Sequence, residues 1–215
     1  VIIGAVGGLL SLFDTDETKT DGNAKEDTFA EYLASQPDPV INRDSILRVM
    51  KKDYALIKDE FSNKDVILVA PKSRPDNRFT SGVFCLFSLT DSVPGDFRFV
   101  VQRAGSGYLM LKECIFNIDG DNWRYQPADI DRKSDNTVSE SFADPVNISM
   151  DLFLSKLAEA KQVKVKFVGQ QADEVYTMKP RESASIGQAL QYFKALGGRL
   201  PASGKDRPFV YLMPK

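Results

Sequence analysis

The chain has 215 residues, a formal charge of −2, and ordinary apolar and charged fractions of 42% and 27%, so it can bury a core without disulfide or metal staples. It contains no histidine, which removes serine–histidine and cysteine–histidine nucleophile pairs, the usual zinc and iron ligand sets, and the commonest general base near neutral pH. The near-neutral charge supplies no global field for nucleic acid, and none is expected as a partner.

Residues 1–13, VIIGAVGGLLSLF, are uncharged and almost wholly apolar. They are too short to cross a bilayer alone, which takes about 20 residues, and read as the end of a signal peptide or membrane anchor. Residues 14–27 carry six acids against two lysines and have linker composition. Few cations follow the apolar segment, which favours a domain outside the cytoplasm. Residues 28–198 read as a single domain, and residues 199–215 as a tail.

Within the domain, a short helix is expected over 25–35, with Phe29 and Leu33 on one face. Pro37 and Pro39 separate it from a longer helix over 42–61, where Ile46, Met50, Tyr54, Ile57 and Phe61 recur every three or four residues. Strand signals follow. Residues 65–71 form a short apolar run, and residues 82–89 are apolar on both faces, as a central strand requires. Pro94 and Gly95 suit a type II turn. Phe97, Phe99 and Val101 then alternate, and residues 104–107 turn the chain back into a strand over 108–118. A helix over 150–161, capped by Ser149, carries a stripe of Met150, Phe153, Leu154 and Leu157. Val163, Val165 and Phe167 alternate with Lys164 and Lys166, residues 174–178 form a short strand, and a last helix spans about 182–196. Gly197 and Gly198 stop that helix. Residues 209–213 read as an edge strand. The fold class is α+β: an antiparallel β-meander sheet with about four helices packed on one face or end.

Few residues suggest chemistry. Asn117, Asp119 and Asp121 alternate as calcium ligands do, but position six of an EF-hand loop is Asn122 rather than Gly, and position twelve is Ala128. Asp119-Gly120 is a hairpin-turn dipeptide, so the stretch reads as a turn with solvated carboxylates. Asp129, Asp131 and Asp135 read as a surface loop, and Lys51-Lys52 and Lys164/Lys166 as solvated faces. Cys85 and Cys114 read as buried free thiols, with a cross-sheet disulfide as the alternative. Asn147-Ile148-Ser149 matches a glycosylation sequon. Trp123, Tyr125 and Phe142 could line an aromatic pocket, though aromatics at strand spacing more often pack. No catalytic, cofactor-binding or metal-ligating residue is assigned, and no cofactor is expected.

These features suggest a membrane-tethered, non-enzymatic extracytoplasmic domain that acts by contact with a protein partner, as a subunit of a bacterial envelope assembly would. The alternatives are a soluble module that binds a small ligand and a hydrolase that uses carboxylates alone.

Overall fold

The structure, a computed structural model, describes residues 42–58, 66–134, 137–202 and 208–214, all within one compact unit, Ile41–Lys215. The apolar segment 1–13, the linker 14–27, the helix expected over 25–35, and Asp135 lie outside the described residues. Among the described residues there are eleven strands and three α-helices. No described helix is long and apolar enough to cross a membrane.

The α+β class holds, but the strands form two antiparallel sheets rather than one meander. The first sheet has the order β1-β2-β3-β4-β8-β7. Its strands are β1 (Tyr54–Lys58), β2 (Val66–Pro71), β3 (Gly82–Thr90), β4 (Val93–Gly105), β7 (Asp131–Ser134) and β8 (Val138–Pro145). The second sheet has the order β10-β9-β5-β6-β11, with β5 (Glu113–Ile118), β6 (Asp121–Gln126), β9 (Val163–Val168), β10 (Asp173–Thr177) and β11 (Phe209–Leu212). The expected edge strand at the C-terminal end is β11, paired antiparallel with β6.

The helix expected over 42–61 is cut short. Helix α1 (Arg43–Met50) is capped by Asn42, whose side chain accepts from the Ser45 N–H. Residues 51–53 then turn, and β1 pairs with β2, setting Tyr54 opposite Pro71 and Leu56 opposite Val69. Tyr54 is buried and its hydroxyl donates to the Ser185 carbonyl at 2.6 Å. Ladder pairing and this long-range bond override the helical spacing of the apolar residues.

The β3–β4 turn also differs from expectation. Its corner is Asp91-Ser92, both with positive φ of 51° and 64°, between the paired residues Thr90 and Val93. Two central residues with positive φ are the type I′ geometry whose twist matches a hairpin. Pro94 and Gly95 instead lie inside β4, where the register shifts between Leu86 and Ser88 on the partner strand.

The expected strand over 108–118 exists only from Glu113 onward, and β5 does not pair with β4. Residues 106–112 carry the chain from one sheet to the other. Glu140 on β8 holds this crossing: its carboxylate accepts from Leu109 N and Leu111 N, both at 2.8 Å. Those two amides are thus satisfied by a side chain instead of a ladder. Arg132 and Arg103 flank the same carboxylate at 3.3 and 3.6 Å. Arg132 also donates to the Leu111 carbonyl, and Arg103 to Glu174. Glu140 and Arg103 are buried.

The inner faces of both sheets meet in one core. Phe99 on β4 lies 5.9 and 5.3 Å from Phe116 and Tyr125 of the second sheet, centroid to centroid. Helix α2 (Asp151–Glu159) inserts Phe153 between them, 5.7 Å from Phe99 and 5.2 Å from Phe116. The expected stripe of Met150, Phe153, Leu154 and Leu157 is wholly buried. Ser149 does not cap α2, however: it lies inside a 3-10 turn, Ile148–Met150, that Asn147 caps by accepting from Ser149 N, and α2 follows directly with Met150 as its N-cap residue and no side-chain cap bond. Asn147 is only 1% exposed, so this sequon is closed to glycosylation in the folded domain.

Helix α3 (Pro180–Ala195) packs on α2 and on β3. Gly187, costly in a helix by about 1 kcal/mol, sits at the α2 contact: a Cβ there would lie 2.8 Å from the Ala158 Cβ. The helix ends at Gly197 (φ 95°), with Gly197 N donating to Lys194 O and Gly198 N to Phe193 O, the paired bonds of a Schellman stop.

Candidate functional site: a cationic cleft at the start of α3

The residues singled out from sequence are scattered. Asp119 and Gly120 form the β5–β6 turn, with φ of 49° and 100°, so the stretch is a hairpin. Its carboxylate is not merely solvated: it accepts from Gln162 N and Lys161 N at 2.8 and 3.1 Å, and these bonds hold Asp119 below the usual carboxylate range. It thereby ties the turn to the start of β9. Asn117 donates across the hairpin to Asn122. Among the described residues no group of three or more cysteine or acidic side chains gathers as metal ligands would.

Asp131 belongs to edge strand β7, not a loop, and pairs with Lys133 at 2.9 Å. Asp129 accepts from Ile130 N. Cys85 and Cys114 are free and fully buried, and burial pushes both thiols far above the usual range, which leaves them poor nucleophiles. Tyr125 and Phe142 stack in the core at 5.2 Å, and Trp123 packs on Phe153. They do not line the cleft described below.

One buried acid stands apart. Asp144 accepts from the Tyr125 hydroxyl at 3.0 Å and from Ala128 N at 3.3 Å. Burial raises it above the usual carboxylate range, outweighing those donors. The native state therefore retains this proton at pH values where the unfolded chain has lost it, and the stability so gained disappears as pH rises through the raised value. Asn is neutral at every pH and can satisfy the same two partners, since the tyrosine hydroxyl can also accept. Asp144→Asn is expected to stabilise the fold at pH 7, the advantage shrinking as pH falls toward about 4, the ordinary aspartate value. Urea midpoints at both pH values check this; a variant less stable than wild type at pH 7 contradicts it.

Among the described residues a concavity lies where α1, β1, the β2–β3 loop and the start of α3 meet. Its main lobe, about 380 Å³, is lined by Lys52, Asp53, Lys72, Ser73, Arg181 and Gln188, among others. A second lobe of about 140 Å³ shares Ser73 and Arg181, and adds Arg74, Asp76, Asn77, Thr80, Lys179 and Glu182. The walls are fixed from below. Tyr54 bonds β1 to α3 through Ser185, and Lys72 N donates to Asp53 O at 2.8 Å. The Lys72 amine donates to the Lys51 and Lys52 carbonyls. Gln102 on β4 donates to the carbonyls of Asn77 and Thr80, tying down the β2–β3 loop.

The electrostatics of the cleft are unusual. The first turn of a helix normally carries acids, because the macrodipole is positive there. Here Lys179 is the N-cap residue and Arg181 lies within the first turn of α3. The acid of that turn, Glu182, is buried and occupied, accepting from Lys179 N at 2.6 Å and the Tyr176 hydroxyl at 2.8 Å. Among the described residues no carboxylate lies within ion-pairing distance of Lys52, Lys72, Arg74, Lys179 or Arg181. Cations from three separate elements thus converge on one concavity where the helix field is already positive. Chemically the arrangement can hold an anion. It offers no histidine, and neither cysteine lines it.

Comparison of the chain with protein-family models, with curated proteins and with solved structures finds no match.

Proposed function

We propose that this chain is a non-catalytic binding domain that takes an anionic ligand into the cleft at the start of α3, and that its N-terminal apolar segment holds it at a membrane outside the cytoplasm. The observation that carries the ligand reading is the main lobe, where Lys52, Lys72 and Arg181 face Asp53 as the only carboxylate in the lining. Each unit charge about 4 Å from a bound anion contributes roughly 1–4 kcal/mol at surface-like dielectric. A long polyanion fits less well, because the chain as a whole is at −2 and nucleic acid needs cations spread along its backbone.

A ligand bound only by the folded state stabilises it, by about 2.7 kcal/mol at a hundredfold excess over Kd. Phosphate or sulfate is therefore expected to raise the melting temperature of wild type above that in chloride of equal ionic strength, and Arg181→Glu is expected to abolish the rise. An equal rise in wild type and variant, or none in either, would remove the cleft from the account.

Contact with a protein partner, as in an envelope assembly, is the second reading. It is favoured by the edge strand β11, where Phe209 and Leu212 are each more than half exposed and whose outer backbone edge pairs with no other strand among the described residues, the arrangement that strand addition uses. Purification of the tethered protein from its own membranes in mild detergent tests it: stoichiometric companions lost on Phe209→Asp support it, and a lone protein opposes it.

A further inference from the structure

We infer that the ligand of this cleft is a phosphorylated polyol, its phosphate monoester in the main lobe and its hydroxyl-bearing carbons in the second. The inference rests on the cleft being an anion site and goes further by assigning a role to each lobe. In the main lobe Lys52, Lys72 and Arg181 face one carboxylate, Asp53. That imbalance matches a phosphate monoester, which carries about −1.5 to −2 at neutral pH, better than a carboxylate with its single charge. The guanidinium of Arg181 supplies the planar fork suited to phosphate, while Lys52 and Lys72 act as point charges.

The second lobe has a different character. Apart from the shared Arg181, its two cations, Arg74 and Lys179, are equalled in number by two carboxylates, Asp76 and Glu182, and the hydroxyl of Thr80 and the amide of Asn77 share the same lining. A lobe that is balanced in charge but rich in both donors and acceptors does not select a second anion. It suits neutral hydroxyls, each of which donates and accepts. The two lobes meet at Ser73 and Arg181, so one small molecule can occupy both. The main lobe, at about 380 Å³, is at the small end of ligand sites, and the second, at about 140 Å³, is an annex to it. The polyol phosphate can be a free metabolite or the headgroup of a lipid; the chemistry recognised is the same.

Calorimetric titration of the wild-type protein with inorganic phosphate, glucose and glucose 6-phosphate tests the assignment. Glucose 6-phosphate is expected to bind about tenfold more tightly than inorganic phosphate, the equivalent of one or two net hydrogen bonds, and glucose alone is expected not to bind. Asp76→Ala, at an exposed carboxylate of the second lobe, is expected to remove that advantage without weakening phosphate binding, because it deletes a negative charge beside the anion site. Flotation with vesicles of phosphatidylcholine, with or without phosphatidylinositol 4-phosphate, separates the sources. Binding to the phosphoinositide that glucose 6-phosphate displaces identifies a lipid headgroup; binding of the soluble phosphate without flotation identifies a free metabolite. Equal affinity for phosphate and glucose 6-phosphate would overturn the polyol assignment and leave the anion site standing. Failure of all three titrants would overturn both.

Discussion

Glu140→Ala is expected to cost at least 3–5 kcal/mol, the range for breaking a buried ion pair by removing one partner. Four groups depend on this carboxylate: the amides of Leu109 and Leu111 at 2.8 Å, and the guanidinium groups of Arg132 and Arg103. Glu140 is fully buried, so water does not replace it without opening the crossing. Two orphaned amides alone cost about 1–3 kcal/mol each. Arg103 keeps Glu174 as a partner at 2.6 Å, which limits the loss. Glu140→Gln is expected to cost less, because its carbonyl still accepts from one amide while its NH2 faces the other. Adding Arg103→Met to Glu140→Ala should recover part of the loss, since it removes a buried charge that has lost a partner. Urea denaturation at pH 7 measures all three. A loss below about 1 kcal/mol for Glu140→Ala would mean that the crossing is held by something else.

Phe153→Ala is expected to cost about 3–5 kcal/mol, the range for emptying a buried aromatic site. The ring is a contact through which α2 joins both sheets. It touches Phe99 of the first sheet and Phe116, Trp123 and Tyr125 of the second, at centroid distances of 5.2 to 5.8 Å. Neighbouring rings held by two hydrogen-bonded sheets cannot collapse into the gap without moving backbone, so the cavity term adds to the lost transfer energy. Phe153→Leu retains most of the volume and is expected to cost less than half as much as Phe153→Ala. The denaturant midpoint is expected to fall with no change in m-value. Equal costs for the alanine and leucine variants would show that the cavity is not the cause.

Much of the fold was legible because burial wrote its period into the chain. Val163, Val165 and Phe167 face inward and Lys164 and Lys166 outward, as alternation predicts. The α2 stripe and the α3 stop at Gly197 were equally plain. The two largest errors share one cause: long-range partners that a local window does not contain. Tyr54 and Ile57 fit a helical stripe, yet β2 draws them into a strand. Leu109 and Leu111 look like strand residues, but a carboxylate some thirty positions further on captures their amides and sends the chain to a second sheet. Ser149 does not cap α2 because Asn147, an equally good cap residue, starts a 3-10 turn two positions earlier and takes Ser149 into it.

The cleft was least legible. Lys52, Lys72 and Arg181 are far apart in sequence, and the Lys51-Lys52 pair reads as an ordinary surface. One local signal was present. The run Lys179-Pro180-Arg181 places two cations at the start of a predicted helix, against the preference for acids there. Only the fold brings the β1 turn and the β2–β3 loop to the same point.

The most direct measurement is a phosphate titration followed by backbone amide NMR on the isotope-labelled domain at constant ionic strength. The account predicts saturable shifts confined to residues 51–53, 72–74 and 179–188, with none at the β5–β6 turn or β11. Shifts that do not saturate, or that spread over the exposed lysines of β9 as strongly as over the cleft, would contradict it.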